Sequence, residues 1–390
     1  MKSSARFRRS RSCAILTAGA ALWLAVACGG SGGGATSMAP AAMNAGLVDA
    51  ALVSDGALSA AHADTQLQNP WGIAFAPGGA FWIADNNDSL STLYDGNGVP
   101  EPLVVSFPAG VAGPANPTGQ VYNATADFVM NTASGAMPAR FLFDGEGGTI
   151  TGWAGGASAS ILYDDAAVHG AAAAVYKGLA LAARGGANFL YATDLHNARI
   201  DVFDTHFNKV SDAGGAFAGK FVDPNLPAGF APFAITLING ELFVSYAQAN
   251  AAGNDETLGP GLGCIDVYDV GGNLLRRFAT GGTLDAPWGM ALAPTGFGSV
   301  AGQLLVGNFG DGAVYAYDPA SGASKGPVSL ASGQALVIPG LWALVFGNGA
   351  LNAPANALYY TAGPNNQKDG VFGRITYASA AASSSSGGGY

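Results

Sequence analysis

A chain of 390 residues, 49% hydrophobic and only 11% charged, buries a large core, and its 59 glycines and 20 prolines call for many tight turns. A formal net charge of −10 argues against nucleic acid as a partner.

The chain opens with a basic stretch (Lys2, Arg6, Arg8, Arg9, Arg11) and an apolar run from Ala14 to Ala27 that ends at Cys28. This is the pattern of an export signal, and the run is too short to favour a permanent membrane span. Leu24-Ala25-Val26-Ala27 precede Cys28 and a Gly/Ser run follows, which resembles a bacterial lipoprotein signal in which the cysteine is lipidated, although Ala25 stands where Leu is usual. Removal of residues 1–27 takes away five basic residues and no acid, leaving eleven Lys and Arg against twenty-six Asp and Glu, a net charge of about −15. Cys13 leaves with the signal and Cys28 is the lipidation site, so Cys264 stands alone and no intrachain disulfide is expected in the mature domain.

Residues 28–44 are Gly, Ser, Ala and Met without periodicity and read as a tether; 379–390 are Ala, Ser and Gly and read as a disordered tail. Between them, residues 45–378 carry a repeat. A turn and first strand recur at Pro70-Trp71-Gly72, Pro117-Thr118-Gly119, Tyr176-Lys177-Gly178, Pro232-Phe233-Ala234, Pro287-Trp288-Gly289 and Leu341-Trp342-Ala343, roughly 47 to 59 residues apart. That spacing fits β-propeller blades. Second-strand copies include Phe81–Asp85, Phe189–Asp194, Leu304–Asn308 and Leu358–Ala362; third-strand copies include Ser91–Asp95, Arg199–Asp204 and Ala313–Asp318. Alternation of apolar with small or polar residues suits sheets packed between neighbouring sheets. The reading is all-β: a six-bladed propeller, with Leu52-Val53-Ser54 as a strand that closes the last blade outside Arg374–Tyr377.

The segments NPWGIAFAP, ADNNDSLSTLYDGNG, FLFDGEGGTITGW, VYKGLAL, LYATDLHNARIDVFD, DAPWGMALAP, LLVGNFGDGAVYAYD, GLWALVFGNG and LYYTAGPNNQKDGVFG, in that order, resemble a family of bacterial secreted or lipid-anchored six-bladed propellers, some with PEP-CTERM tails. No such tail follows Tyr377 here. The strand pattern is similar to NHL propellers and more distantly to gluconolactonase-like ones. The resemblance implies a fold and no established activity.

Turns entering the first strands and turns between second and third strands fall at one end of such a ring. They are expected to gather candidate ligand-binding residues Trp71, Trp288, Trp342, Asn87 and Lys177 around a channel mouth, with Asp85, Asp194, Asn308 and Asn365 as candidate oxygen ligands for Ca²⁺ or Mg²⁺. Each has an ordinary structural explanation: Asp and Asn bond to their own turns, Trp fills space between blades, and Lys177 forms an ion pair. His196, the one histidine inside a repeat turn, is the candidate base or ligand. Asp144-Gly145-Glu146 reads as a tight turn and Asn254-Asp255-Glu256 as an acidic surface loop. There is no phosphate loop and no G-x-S-x-G elbow.

Two functions remain open. The first is a lipid-anchored, monomeric binding or scaffold module of the cell envelope, taking a small molecule, glycan or envelope protein. The alternative is a metal-dependent hydrolase or lactonase, in which the metal polarises the substrate and activates water.

Overall fold

The computed structural model describes residues 45–379. The expected export signal, the expected lipidation site Cys28, the expected tether and all but the first residue of the expected tail (379–390) lie outside them.

Six antiparallel sheets form the blades, each with its first strand at one edge. Blade 1 is Pro70–Ala74, Phe81–Asp85, Leu90–Tyr94 and Val105–Ser106. Blade 2 is Pro117–Tyr122, Phe141–Gly145, Thr149–Trp153 and Ser160–Asp164, with an inserted hairpin, Val129–Thr132 and Gly135–Pro138, after its first strand. Blade 3 has three strands, Tyr176–Arg184, Ala187–Asp194 and Arg199–Phe203, and the Phe203–Lys209 bridge is the remnant of a fourth. Blade 4 is Phe230–Ile238, Glu241–Ala249, Gly263–Tyr268 and Leu274–Thr280; blade 5 is Pro287–Leu292, Leu304–Asn308, Val314–Tyr317 and Ser324–Pro327.

Blade 6 closes the ring. Its strands Leu341–Phe346, Leu358–Ala362 and Val371–Ala378 are completed by Gly46–Ser54, which pairs antiparallel with Val371–Ala378 from Gly46 opposite Ala378 to Ser54 opposite Val371. The closing strand is thus longer than Leu52-Val53-Ser54. Leu47, Leu52 and Val53 bury their side chains, and exposed Asp49 and Ala50 between them weaken the apolar signal in the sequence.

The repeated small residue at the third position of each first-strand motif has a steric cause. A Cβ on Gly72 would stand 2.5 Å from the Thr118 carbonyl oxygen, one on Gly119 2.2 Å from the Leu179 nitrogen, and one on Gly289 2.5 Å from the Trp342 carbonyl oxygen. Neighbouring first strands therefore approach with almost no side chain between them. Polar side chains then tie blade to blade: Gln120 Nε2 donates to the carbonyls of Gly72 and Trp82 at 2.6 and 2.7 Å, Thr193 donates to Phe233 O at 3.2 Å, and Thr361 donates to Trp71 O.

Candidate functional site

The residue before each small position sets one layer around the axis: Trp71, Thr118, Lys177, Phe233, Trp288 and Trp342, one from each blade. The aromatic members meet in the middle. Trp71 and Phe233, from opposite blades, have ring centroids 6.4 Å apart; Trp71 stacks on Trp342 at 3.4 Å, and Trp288 meets both edge-on at 6.1 Å. Phe309 stacks on the far side of Trp342 at 3.9 Å. Rings that touch across the axis leave no channel, so the end expected to be a mouth is plugged. This corrects the expectation of an open ring end: Trp71 and Trp342 are almost fully buried, and their faces are spent on one another.

Lys177 occupies the same layer and is wholly buried. Its Nζ lies 5.1 Å from the Trp71 ring and donates to Glu146 Oε1 at 2.5 Å and Asp255 Oδ1 at 3.4 Å, with Glu256 Oε2 at 4.0 Å. Burial by itself pulls the ammonium down, but Glu146, Glu256 and Asp255 outweigh it and hold it above its usual range. The ion pair expected of Lys177 is present, with Glu146 and Asp255 as its partners. Burial drives the Glu256 carboxyl well up despite Lys177, while Asp255 is held low by its bond to Glu256 and by the Lys177 charge. The blade 4 insertion expected as a surface loop thus places a buried acid, with its side chain 2% exposed, against the plug.

An amide network continues around the same end. Trp342 Nε1 donates to Asn69 Oδ1 at 3.1 Å, and Asn69 Nδ2 donates to Gln367 Oε1 at 3.1 Å and Asn87 Oδ1 at 3.3 Å. Asn86 Nδ2 reaches Glu146 Oε2 at 3.0 Å, linking the network to Lys177. Asn87 is exposed and donates to the Gln367 carbonyl at 2.7 Å.

The candidate metal ligands are engaged separately, each in its own blade. Asp85 accepts from the Thr92 backbone and hydroxyl, both at 2.8 Å, and burial pushes its pKa well up. Asp194 accepts from Asn197 and Val175, and burial raises it too; Asn308 donates to Thr283 O at 2.7 Å and Asp311 at 3.1 Å. Asn365 sits in an exposed left-handed turn. His196 is exposed and donates through Nδ1 to the Gly253 carbonyl of the blade 4 insertion at 3.2 Å. Among the described residues no group of three or more His, Cys, Asp or Glu side chains is placed to hold a metal ion, so the donor set does not fit one.

Beneath the plug lies a cavity of about 620 Å³, walled by the first strands of all six blades. Its lining includes Gln120, Tyr122, Thr236, Asn239 and Trp288 among apolar residues and glycines, and no charged side chain. Each wall strand is paired along one edge only, so its free edge turns backbone N–H and C=O groups toward the axis. Exposure rises away from the plug: Phe75, Tyr122, Leu292 and Phe346 are half-buried and Leu237 is 40% exposed. The cavity is blind at the Trp end and opens where the first strands finish.

No family model matches the chain. It is 31% identical over 329 residues to the uncharacterized protein R648 of Acanthamoeba polyphaga mimivirus, covering 83% of this chain and 78% of that one. Uncharacterized protein L690 of the same virus is 31% identical over 330 residues, covering 83% and 84%. The chain belongs to the family of these proteins. The apo form of the soluble aldose sugar dehydrogenase of Escherichia coli superposes on 85% of this chain and all of its own with a TM-score of 0.50, at 12% identity, a likeness of fold alone.

Proposed function

We propose that this protein is an exported, lipid-anchored binding propeller that holds a neutral small molecule in its axial cavity. The observation that carries the reading is the blind cavity of about 620 Å³ whose six-strand wall bears no charged side chain. Its volume is within the range of drug-sized ligand sites, roughly 300–1,000 Å³. An ion would lose its hydration there with no counter-charge, whereas a neutral molecule exchanges water for apolar contact and for hydrogen bonds to the free strand edges. Export and anchoring are supported by the basic and apolar residues before Cys28. The metal-hydrolase alternative has no convergent donor set behind it among the described residues.

The test is a fluorescence titration with the neutral, environment-sensitive dye Nile red, on the natural chain and on Leu292→Trp, which narrows the cavity where the first strand of blade 5 finishes. One dye per chain is expected for the natural protein, with binding lost in Leu292→Trp and the melting temperature little changed. Equal binding by both, or none by either, would refute the cavity as the site.

A further inference from the structure

Blade 3 is the one blade without a fourth strand among the described residues, and a second cavity opens where that strand is missing. The outer edge of Arg199–Phe203 is paired only toward its end, where Val210 N–H donates to Val202 O at 2.7 Å, Val202 N–H donates to Ser211 Oγ at 3.1 Å and Asp204 N–H donates to Asn208 O at 3.0 Å. Groups on one edge of a strand recur every second residue, so the N–H and C=O of Ile200 face the same way as those of Val202. Among the described residues no backbone group bonds to them on that edge, although Ile200 is only 5% exposed.

A cavity of about 200 Å³ lies against this edge, between blades 3 and 4, and shares no lining residue with the axial cavity. Ala198 to Ile200 make one wall and Phe221 to Asp223 another, with Leu226, Pro232 and Tyr246 completing the lining. Ala198 and Val222 are exposed and mark its opening. Charged groups of both signs meet there. Arg199 Nε lies 2.9 Å from Asp201 Oδ1, but Nη1 is 3.9 Å from Asp212 Oδ1, too far for a hydrogen bond, and the side chain is 40% exposed. Its outer N–H groups are thus open to an incoming carboxylate. Asp223 is buried and shares the Arg277 guanidinium with Asp266. At pH 8, above the value of about 7 to which burial lifts Asp266, two carboxylates face one cation, an excess of negative charge that suits an ammonium.

We infer that this cavity binds one free α-amino acid with an aliphatic side chain. A residue of a fourth strand offers Ile200 one donor and one acceptor; a free amino acid offers the same pair as ammonium and carboxylate. The carboxylate meets the Ile200 N–H and Arg199, the ammonium meets the Ile200 C=O and Asp223, and the side chain lies against Phe221, Leu226 and Tyr246. The volume is below the roughly 300 Å³ at which drug-sized sites begin, which suits a single amino acid. None of this rests on the reading of the axial cavity.

Equilibrium dialysis of radiolabelled L-leucine against the full chain at pH 8 is the test. One leucine per chain is expected, with 3-methylbutylamine and 4-methylpentanoate, each lacking one charged end, competing roughly tenfold or more weakly. Arg199→Gln is expected to weaken binding to a similar extent, Leu226→Trp to abolish it by filling the cavity, and Leu292→Trp to leave it unchanged. No bound leucine, competition by either analogue as strong as by leucine itself, or full binding by Leu226→Trp would overturn the inference. Loss of leucine from Leu292→Trp would move the ligand to the axial cavity and overturn it as well. The competition needs only the natural chain, so it decides the matter even where a variant fails to fold.

Discussion

Replacing Lys177 with Met tests whether the plug is held by charge as well as by packing. Met fills nearly the same volume, so the change removes the ammonium and leaves Glu146 and Asp255 without their counter-charge, though Asn86 still donates to Glu146 and the Glu256 backbone to Asp255. Losing one member of a buried pair costs about 3–5 kcal/mol. Here the carboxylate side chains are 24% and 47% exposed and recover part of their hydration, which brings the expected loss to about 2–3 kcal/mol. For a domain of this size that lowers the melting temperature by roughly 5 °C. Adding Glu146→Gln to Lys177→Met removes the stranded charge and is expected to restore more than half of the loss, a coupling that a double-mutant cycle in urea reads directly. The pH dependence has a definite sign. The folded ammonium titrates above the ordinary value of 10.5, so its contribution is complete below that pH and disappears as pH rises through the folded value. The natural protein should lose stability above about pH 10.5 more steeply than Lys177→Met. A Lys177→Met protein as stable as the natural one, with parallel alkaline profiles, would refute the charge latch and leave the plug to its aromatic rings.

Asp144 gives a prediction in the opposite pH range. Burial pushes it up to about 7 even though Thr118 and Gly119 donate to its Oδ1, and its Oδ2 has no partner. Its raised pKa favours folding below the ordinary value of 3.8, and that contribution is lost as pH climbs to about 7. Asp144→Asn keeps the accepting oxygen, so denaturation at pH 8 should show it equal to or more stable than the natural protein, with a flatter profile between pH 4 and 7. A chain that begins at Asp55 lacks the closing strand and the burial of Leu47, Leu52 and Val53, each worth about 1.5–3 kcal/mol. The sum of about 5–9 kcal/mol rivals the whole stability of a typical domain, and calorimetry should find no cooperative transition near that of the longer chain.

The blades were legible because each carries its own alternation and turn. Phe81–Asp85, Leu304–Asn308 and Leu358–Ala362 are strands with the bounds read from the sequence. The closing strand was legible only at Leu52-Val53-Ser54, since exposed Asp49 and Ala50 interrupt its apolar pattern. The hairpin Val129–Pro138 and the five-residue helix Asp165–His169, capped by Asp164, were missed; both are short and mostly exposed, so burial leaves little imprint on their residues.

At the site, the repeat already aligned Lys177 and Phe233 with the three tryptophans. Equal places in repeated blades mean equal heights around one axis, and the inference available there was a closed layer in place of a rim. What alignment does not supply is the partner of a side chain from a distant turn. Glu146 and Asp255 lie 31 and 78 residues from Lys177, in loops that read as a tight turn and an acidic surface. Their pairing follows from ring closure, which brings blades 2, 3 and 4 side by side. The cavity was hidden for a related reason: each first strand reads as an ordinary buried strand, and only six together enclose a volume.

The proposed occupant of the axial cavity is one neutral molecule per chain. Native mass spectrometry of the full chain, extracted from membranes of cells that express it, tests this without a choice of dye. Beyond the mass of the lipidated chain, one non-covalently bound neutral molecule per chain is expected, absent from Leu292→Trp prepared in parallel. No bound molecule in either preparation, or a non-covalently bound one that survives in Leu292→Trp, would contradict the cavity as its site.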